Sequence, residues 1–235
     1  MEKNLYKLEK ILDIKFKNIR ILEQALIHRS YLNEHPGFPL SHNERLEFLG
    51  DAVLELIVTK FLYKNFNKPE GELTSLRSSL VNTKSLAEMA SELKINDYLY
   101  LSKGESKSGE KARGVILANT FEAIIGAIYF DRGLSAAEKF ISRHLFPKLD
   151  NIIKLHLYKD PKSHFQEITQ GKFKITPNYE VVAESGPDHN KKFTVGVYLQ
   201  EKLVATGSGK SKQEAELNAA ENALKNNPKT IDKSI

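Results

Sequence analysis

The chain has 235 residues, room for two modest domains, with 28% charged and 40% hydrophobic residues, the balance of a folded globular protein. It contains no cysteine, which excludes disulfide frameworks and thiolate metal sites and makes the reducing cytoplasm the expected location. A net charge of +5 hints at a polyanionic partner, but residues 1–150 hold 22 Lys and Arg against 20 Asp and Glu, so any nucleic-acid contact must use local clusters.

The N-terminal MEKNLYKLEKIL lacks the apolar stretch of a signal peptide, and no run approaches the roughly 18 apolar residues of a membrane span. No membrane partner is expected. Apolar periodicity near 3.6 predicts helices over 4–13, 18–30, 42–66, 73–80, 83–93, 115–130 and 134–149. Turn chemistry separates them at HPGFPLSH (35–42), NKPEG (67–71) and SKGESKSGEKARG (102–114). Without any convincing strand alternation, residues 1–150 are expected to form an all-α domain.

Near residue 150 the texture changes. DNIIKLHLYKDPK ends in Asp160-Pro161, a linker over 151–159 that closes on a helix start with Ser163 nearby. A helix at 163–170 is followed by alternating runs at 178–186, 191–200 and 202–209, joined by GPDHN and by a tight turn at Gln200-Glu201. A last helix, SKQEAELNAAENALKN, covers 211–226. The order α-β-β-β-α over 160–228 predicts a small α+β domain, an antiparallel sheet with two helices on one face. Residues 229–235 are expected to be a tail.

One predicted helix is unusual. HNERLEFLGDAVLELIVTKFLY (42–63) is apolar on most sides, yet Glu44, Glu47, Asp51 and Glu55 recur at spacings of three and four. At about 100° per residue they share an arc of roughly 80°. Acids at helical spacing ordinarily form a solvated face, but such faces mix signs, and this one has no Lys or Arg within it. Like charges so placed repel, and partial burial suppresses their ionisation. A cation should sit against them, and all-oxygen donors point to a hard divalent ion, Mg²⁺ or Mn²⁺. The best complement is Glu122, a lone acid on the apolar helix GVILANTFEAIIGAIYFDRG, with Asn119 one turn before it and Glu70 as a third source. Carboxylate-held Mg²⁺ with open positions suits phosphodiester hydrolysis.

At these residues the sequence resembles a known family. HNERLEFLGDAVL is similar to the signature of ribonuclease III, and ALIHRSY (25–31), EGELTSLRSSLVN (70–82) and ILANTFEAIIGAIY (116–129) match its other blocks in order. QEITQ (166–170), GPDH (186–189) and GKSKQEAELNAA (209–220) resemble the family's C-terminal double-stranded RNA-binding domain. The resemblance implies a homodimeric, Mg²⁺-dependent endoribonuclease. It would cut both strands of duplex RNA to 5′-phosphates with short 3′ overhangs, in ribosomal and messenger RNA processing. By position, Glu47, Asp51 and Glu122 fall on metal-binding and catalytic carboxylates: Asp51 and Glu122 catalytic, Glu47, Asn119 and Glu122 metal-binding. Glu44 and Glu70 fall on supporting acids, and Phe48 on a residue that packs into the partner subunit. Glu55 matches nothing functional and reads as structural. The departure is Asn119, where the family most often has Asp. Asn keeps a carbonyl oxygen for Mg²⁺ and removes one negative charge, so it is either a tolerated variant or a weakening one.

Duplex RNA is read by shape across the minor groove, with phosphate contacts between. Gln166 and Glu167 on the first helix of the second domain, His189 in the GPDHNKK loop, and Lys210 and Lys212 at the start of the last helix supply the required groups. Lysine at a helix start opposes the dipole, which argues against a stabilising role. Gln213 and Glu216 depart from a more Lys-rich version of this helix. Phe165, Tyr179, Phe193 and Tyr198 read as core, and His28 as a hydrogen-bonded packing residue. Two other readings stand beside the nuclease: a duplex-binding regulator that does not cut, prompted by Asn119, and a di-metal helical enzyme acting on small phosphates, against which the second domain argues.

Overall fold

The computed structural model describes residues 3–156, 158–187 and 191–226. Its contacts divide the chain after Tyr158. The first unit is helical: α1 (Leu5–Leu12), α2 (Ile19–Ala25), α3 (Arg29–Glu34), α4 (Glu44–Asn65), α5 (Glu70–Val81), α6 (Thr83–Glu92), α7 (Glu110–Arg132), α8 (Leu134–His144) and α9 (Pro147–Lys154). Two 3₁₀ turns, Ile95–Tyr98 and Glu105–Lys107, lie between α6 and α7.

α7 is the axle. Residues Ile116–Leu117–Ala118 and Ala123–Ile128 are all buried, and α4, α6, α2 and α8 pack around them. By length and composition α7 could cross a membrane, contrary to the expectation from apolar runs, but 61% of its most apolar stretch is buried inside the unit. It is the core helix of the fold. Its first turn lies within the polar segment expected to be a break. Those residues are mostly exposed, so the helix starts without the apolar signal that periodicity detects.

The single helix expected at 18–30 is two. α2 stops at Ala25, Tyr100 N donates to the Leu26 carbonyl at 2.9 Å, and His28 N donates to the Tyr100 carbonyl at 3.1 Å. His28 then caps α3, its ring accepting from Ser30 N at 3.3 Å, a hydrogen-bonded packing role. The helix expected at 134–149 is also split, because Pro147 takes the first position of α9 and needs no amide donor there. The expected linker at 151–159 is largely structured: α9 runs to Lys154, and Ile152 and Tyr158 are buried in the first unit's core.

The second unit holds α10 (Pro161–Phe173), β1 (Asn178–Ser185), β2 (Lys192–Leu199), β3 (Lys202–Gly209) and α11 (Lys212–Lys225). Asp160 caps α10, accepting from Ser163 N at 2.9 Å, with Pro161 at the first helical position. The sheet is antiparallel in the order β1-β2-β3. Phe165, Val197, Leu199 and the alanine face of α11 (Ala219, Ala220, Ala223) form its core, with Tyr179 packed against it. A Cβ at Gly207 would stand 2.1 Å from Ala219 N, so α11 lies directly on β3. Asn218 and Asn222 donate to the Ser208 and Thr206 carbonyls at 2.8 and 2.9 Å. The expected tail at 229–235 lies outside the described residues.

Candidate active site and RNA-binding surface

α4 and α7 cross backbone to backbone. A Cβ on Gly50 would lie 1.8 Å from the Glu122 carbonyl oxygen, and one on Gly126 would lie 2.1 Å from the Leu46 carbonyl oxygen. Only hydrogen fits at either position. The contact sets Glu47 and Asp51, one turn apart on α4, against Asn119 and Glu122, one turn apart on α7. The start of α4 is fixed separately: buried Asn43 donates its side-chain amide to the Ala25 carbonyl at 3.1 Å, and its backbone N–H to the Ile27 carbonyl at 2.9 Å.

The acids feel one another. Burial first, then Asp51 and Glu47, push the Glu122 carboxyl up to about 7. Burial and then Glu44 raise Glu47, opposed by a hydrogen bond from Asn119, with Asp51 adding to the rise. Asn119 thus acts as a donor to Glu47, a contact that Asp at this position could make only when protonated. Among the described residues, no Lys, Arg or His forms an ion pair with Glu47, Asp51 or Glu122. Nor do three His, Asp or Glu side chains stand close enough to close a metal shell. The four residues offer hard oxygen donors and uncompensated negative charge, and in donor type and charge they fit a divalent cation.

The other expected acids separate. Glu44 lies at the edge of the crossing, 3.1 Å from Arg29 Nε and 3.8 Å from His42 Nδ1. Glu55 pairs with Arg77 at 3.7 Å and is structural. Glu70 is not brought to the crossing within this chain. It opens α5, accepts from Thr74 Oγ1 at 2.9 Å, and lines a cavity of about 450 Å³ with Thr59, Leu62 and Tyr63 of α4. Thr59 is eight residues past Asp51, about 12 Å along the helix. The turn into α5 follows the far end of α4, which is why Glu70 falls there. Phe48 stands on the surface of α4, 81% exposed, a large aromatic with no packing role in its own chain.

In the second unit, Gln166 and Glu167 are exposed on α10, and Glu167 pairs with Lys159. His189 lies outside the described residues. Lys210 and Lys212 flank Ser211, which caps α11 by accepting from Glu214 N at 3.1 Å, while Glu214 accepts from Lys210 N at 2.7 Å. Lys212 sits 3.7 Å from Glu184 and over the Phe193 ring, so part of its charge is already met. Glu216, one of the departures from a more Lys-rich helix, has a structural partner: Lys162 Nζ at 2.6 Å, joining α10 to α11.

Sequence reasoning missed Gly50, Gly126 and Asn43. The signal was there in the two glycines, each one turn from an acid on an apolar helix, but their pairing became visible only with the crossing.

Acids gathered at the crossing of two core helices, followed along the chain by a module with lysines at a helix start, define a nuclease of the duplex-cutting class. Residues 18–149 match the Ribonuclease-III-like family and residues 161–227 the double-stranded RNA binding motif. Proteins called ribonuclease 3 are similar over nearly the whole chain. That of Carboxydothermus hydrogenoformans is 49% identical over 95% of both chains, and that of Enterococcus faecalis 46% identical over 92% of this chain and 94% of its own. The nuclease domain of ribonuclease III from Campylobacter jejuni superposes with a TM-score of 0.56 at 40% identity, covering 63% of this chain and 97% of that domain. The chain belongs to the ribonuclease III family. It is an endoribonuclease of double-stranded RNA.

Proposed function

We propose that Glu47, Asn119 and Glu122 hold Mg²⁺, with Mn²⁺ as a substitute, that Asp51 and Glu122 are the catalytic carboxylates, and that Glu44 supports them. The observation that carries this reading is the α4–α7 contact at Gly50 and Gly126, which sets the four side chains against one another. When bound, the ion supplies a water of lowered pKa and neutralises charge on the scissile phosphoryl group. Asn119 holds the Glu47 carboxylate by its amide N–H and offers its carbonyl as a neutral donor. The rise of the Glu122 carboxyl to about 7 belongs to the ion-free site; with the ion bound, Glu122 would be held as a carboxylate that fixes the ion and its water, while Asp51 orients the attacking water.

The active form is a homodimer, with Phe48 of each subunit docking into its partner. Its exposure supports this, as does the concern of one Campylobacter jejuni structure with a region involved in dimer formation of that domain. Glu70, remote from the crossing of its own chain, acts through that assembly or not at all. Gln166, Glu167, His189, Lys210 and Lys212 hold the duplex. The products are 5′-phosphates with short 3′ overhangs, and the setting is cytoplasmic ribosomal and messenger RNA processing.

The test is an end-labelled RNA duplex incubated with the protein in Mg²⁺ and in EDTA, beside Glu122→Gln. Cleavage in Mg²⁺ alone, lost in Glu122→Gln with duplex binding and dimerisation retained, supports the assignment. Normal turnover by Glu122→Gln removes Glu122 from the mechanism. Binding without cutting at any Mg²⁺ concentration establishes the regulator prompted by Asn119 instead.

A further inference from the structure

Away from the acid crossing, the far end of α7 helps to build a cavity of about 370 Å³ with the chain after α1 and one face of α8. That volume is within the range of small-molecule sites, roughly 300–1,000 Å³. Arg132 follows Glu122 by ten residues, about 15 Å along α7, so the cavity is separate from the candidate active site. Lys15, Arg132, Lys139 and Arg143 line it, against the single acid Asp13.

The walls are fixed by contacts that engage the two arginines and not the two lysines. The Arg132 guanidinium donates to the Lys15 carbonyl, and Arg143 pairs with Asp13. Asp131 accepts from the backbone N–H groups of Lys17 and Asn18 at 2.6 and 3.1 Å, which holds the segment after α1 against α7. Lys15 and Lys139 have no ion pair among the described residues, and both are exposed. Four cations around one concavity repel one another, and while Arg132 and Arg143 hold its walls together, no such contact among the described residues accounts for Lys15 and Lys139. Half-buried Ile14 and Ala136 add apolar wall beside the charge.

We infer that this cavity is a binding site for a small phosphorylated ligand of the nucleoside di- or triphosphate class. Lys15 and Lys139 take the phosphates, with the remaining N–H donors of Arg132 beside them, and the apolar wall takes the base. A concave site suits a ligand that enters it, whereas a duplex would touch only its rim. The occupant of this site bridges the segment after α1, the end of α7 and α8.

The experiment is isothermal titration calorimetry of the full-length protein with GTP at low salt in EDTA. With divalent ions removed, the acids of the crossing repel a triphosphate, so heat reports another site. Wild type is expected to bind, and Lys15→Glu/Lys139→Glu to bind about tenfold more weakly or worse, with unchanged melting and unchanged cleavage of duplex RNA. The exposed single change Lys139→Ala provides a milder variant should the double one melt early, and it should weaken GTP in the same direction. Absence of heat from wild type up to about 1 mM GTP, or equal binding by wild type and variants, overturns the inference. So does a variant that loses duplex affinity while wild type ignores GTP, since the cations then contact an RNA strand.

Discussion

Gly50→Ala places one methyl group where α4 and α7 touch. Its carbon would start 1.8 Å from the Glu122 carbonyl oxygen, 2.6 Å from the Glu122 carbonyl carbon and 2.8 Å from Gly126 N. All three obstacles are backbone, so no rotamer change relieves them. An ordinary contact needs about 3.5 Å, so the helices must separate by about 1.5–2 Å. Ile57, Val53, Ile124 and Ile128, all buried, would then lose close packing along the length of the pair. Overpacking of a rigid core costs about 1–3 kcal/mol and the loosened contacts add to it, so a loss of about 3–4 kcal/mol is expected. For a unit of this size that is a fall of about 10 °C in melting temperature. The same separation moves Glu47 and Asp51 from Asn119 and Glu122, and a displacement of about 1 Å at a reacting centre costs on the order of 10²-fold in rate. Calorimetry should show the loss in the transition of the nuclease unit, and duplex cleavage at saturating Mg²⁺ should fall with it. The control is Gly114→Ala on the same helix, where a Cβ meets nothing within 4 Å and better helix propensity should stabilise by up to about 1 kcal/mol. Gly50→Ala with wild-type melting and wild-type cleavage would refute the idea that this contact positions the acids.

Glu122 also sets a pH dependence of the metal-free protein. Its carboxyl is raised from 4.5 to about 7, so the folded state holds the proton more tightly than the unfolded one. The contribution of this group is therefore most favourable below about 4.5, falls as pH rises, and carries the full penalty above 7. Because the group is partly solvated, the penalty is discounted to about 1–2 kcal/mol. In EDTA, Glu122→Gln should melt above wild type at pH 8 and match it near pH 4; equal melting curves at pH 8 would show that the charge is relieved in another way. Asn119→Asp fits without repacking and adds a charge beside Glu47, so it should lower the Mg²⁺ needed for half-maximal cleavage with little change at saturation, and identical Mg²⁺ titrations would show that residue 119 does not limit binding. Removing residues 159–235 should weaken duplex affinity strongly at physiological salt while some cutting survives at low salt, whereas loss of cutting at every ionic strength would deny the division of labour between the units. Phe48→Glu changes a side chain 81% exposed, so sedimentation should report a monomer with unchanged melting, and a persistent dimer would place the interface elsewhere.

The acid line on α4 was legible in part: Glu47 and Asp51 meet Glu122 across the crossing, whereas Glu44 and Glu55 are met by Arg29 and Arg77, partners distant in sequence. The order of helices and strands was legible because apolar periodicity switches from 3.6 to 2 over residues 178–209 and back again for the last helix. Less visible were features decided by partners distant in sequence. The break between α2 and α3 comes from Tyr100, about seventy residues on, which takes the Leu26 carbonyl and gives its own to His28. Tyr158 reads as linker until Lys68 and Glu72 reach its hydroxyl at 3.5 and 3.4 Å. Glu70 read as a companion of Glu122 because the sequence carries no measure of where along α4 the next helix returns. The donor role of Asn119 toward Glu47 depends on the crossing as well.

The clasp between α11 and β3 bears on how the RNA-binding unit behaves when crowded. β3 is the last strand of its sheet, and the free margin of such a strand is a template on which another chain can add itself. Asn218 and Asn222 occupy two carbonyls there, and α11 itself shields the approach through its contact at Gly207. Strand addition along the second half of β3 is thereby obstructed. At the opposite margin, β1, the bulge between Val181 and Ala183 disturbs the regular spacing an incoming strand would need.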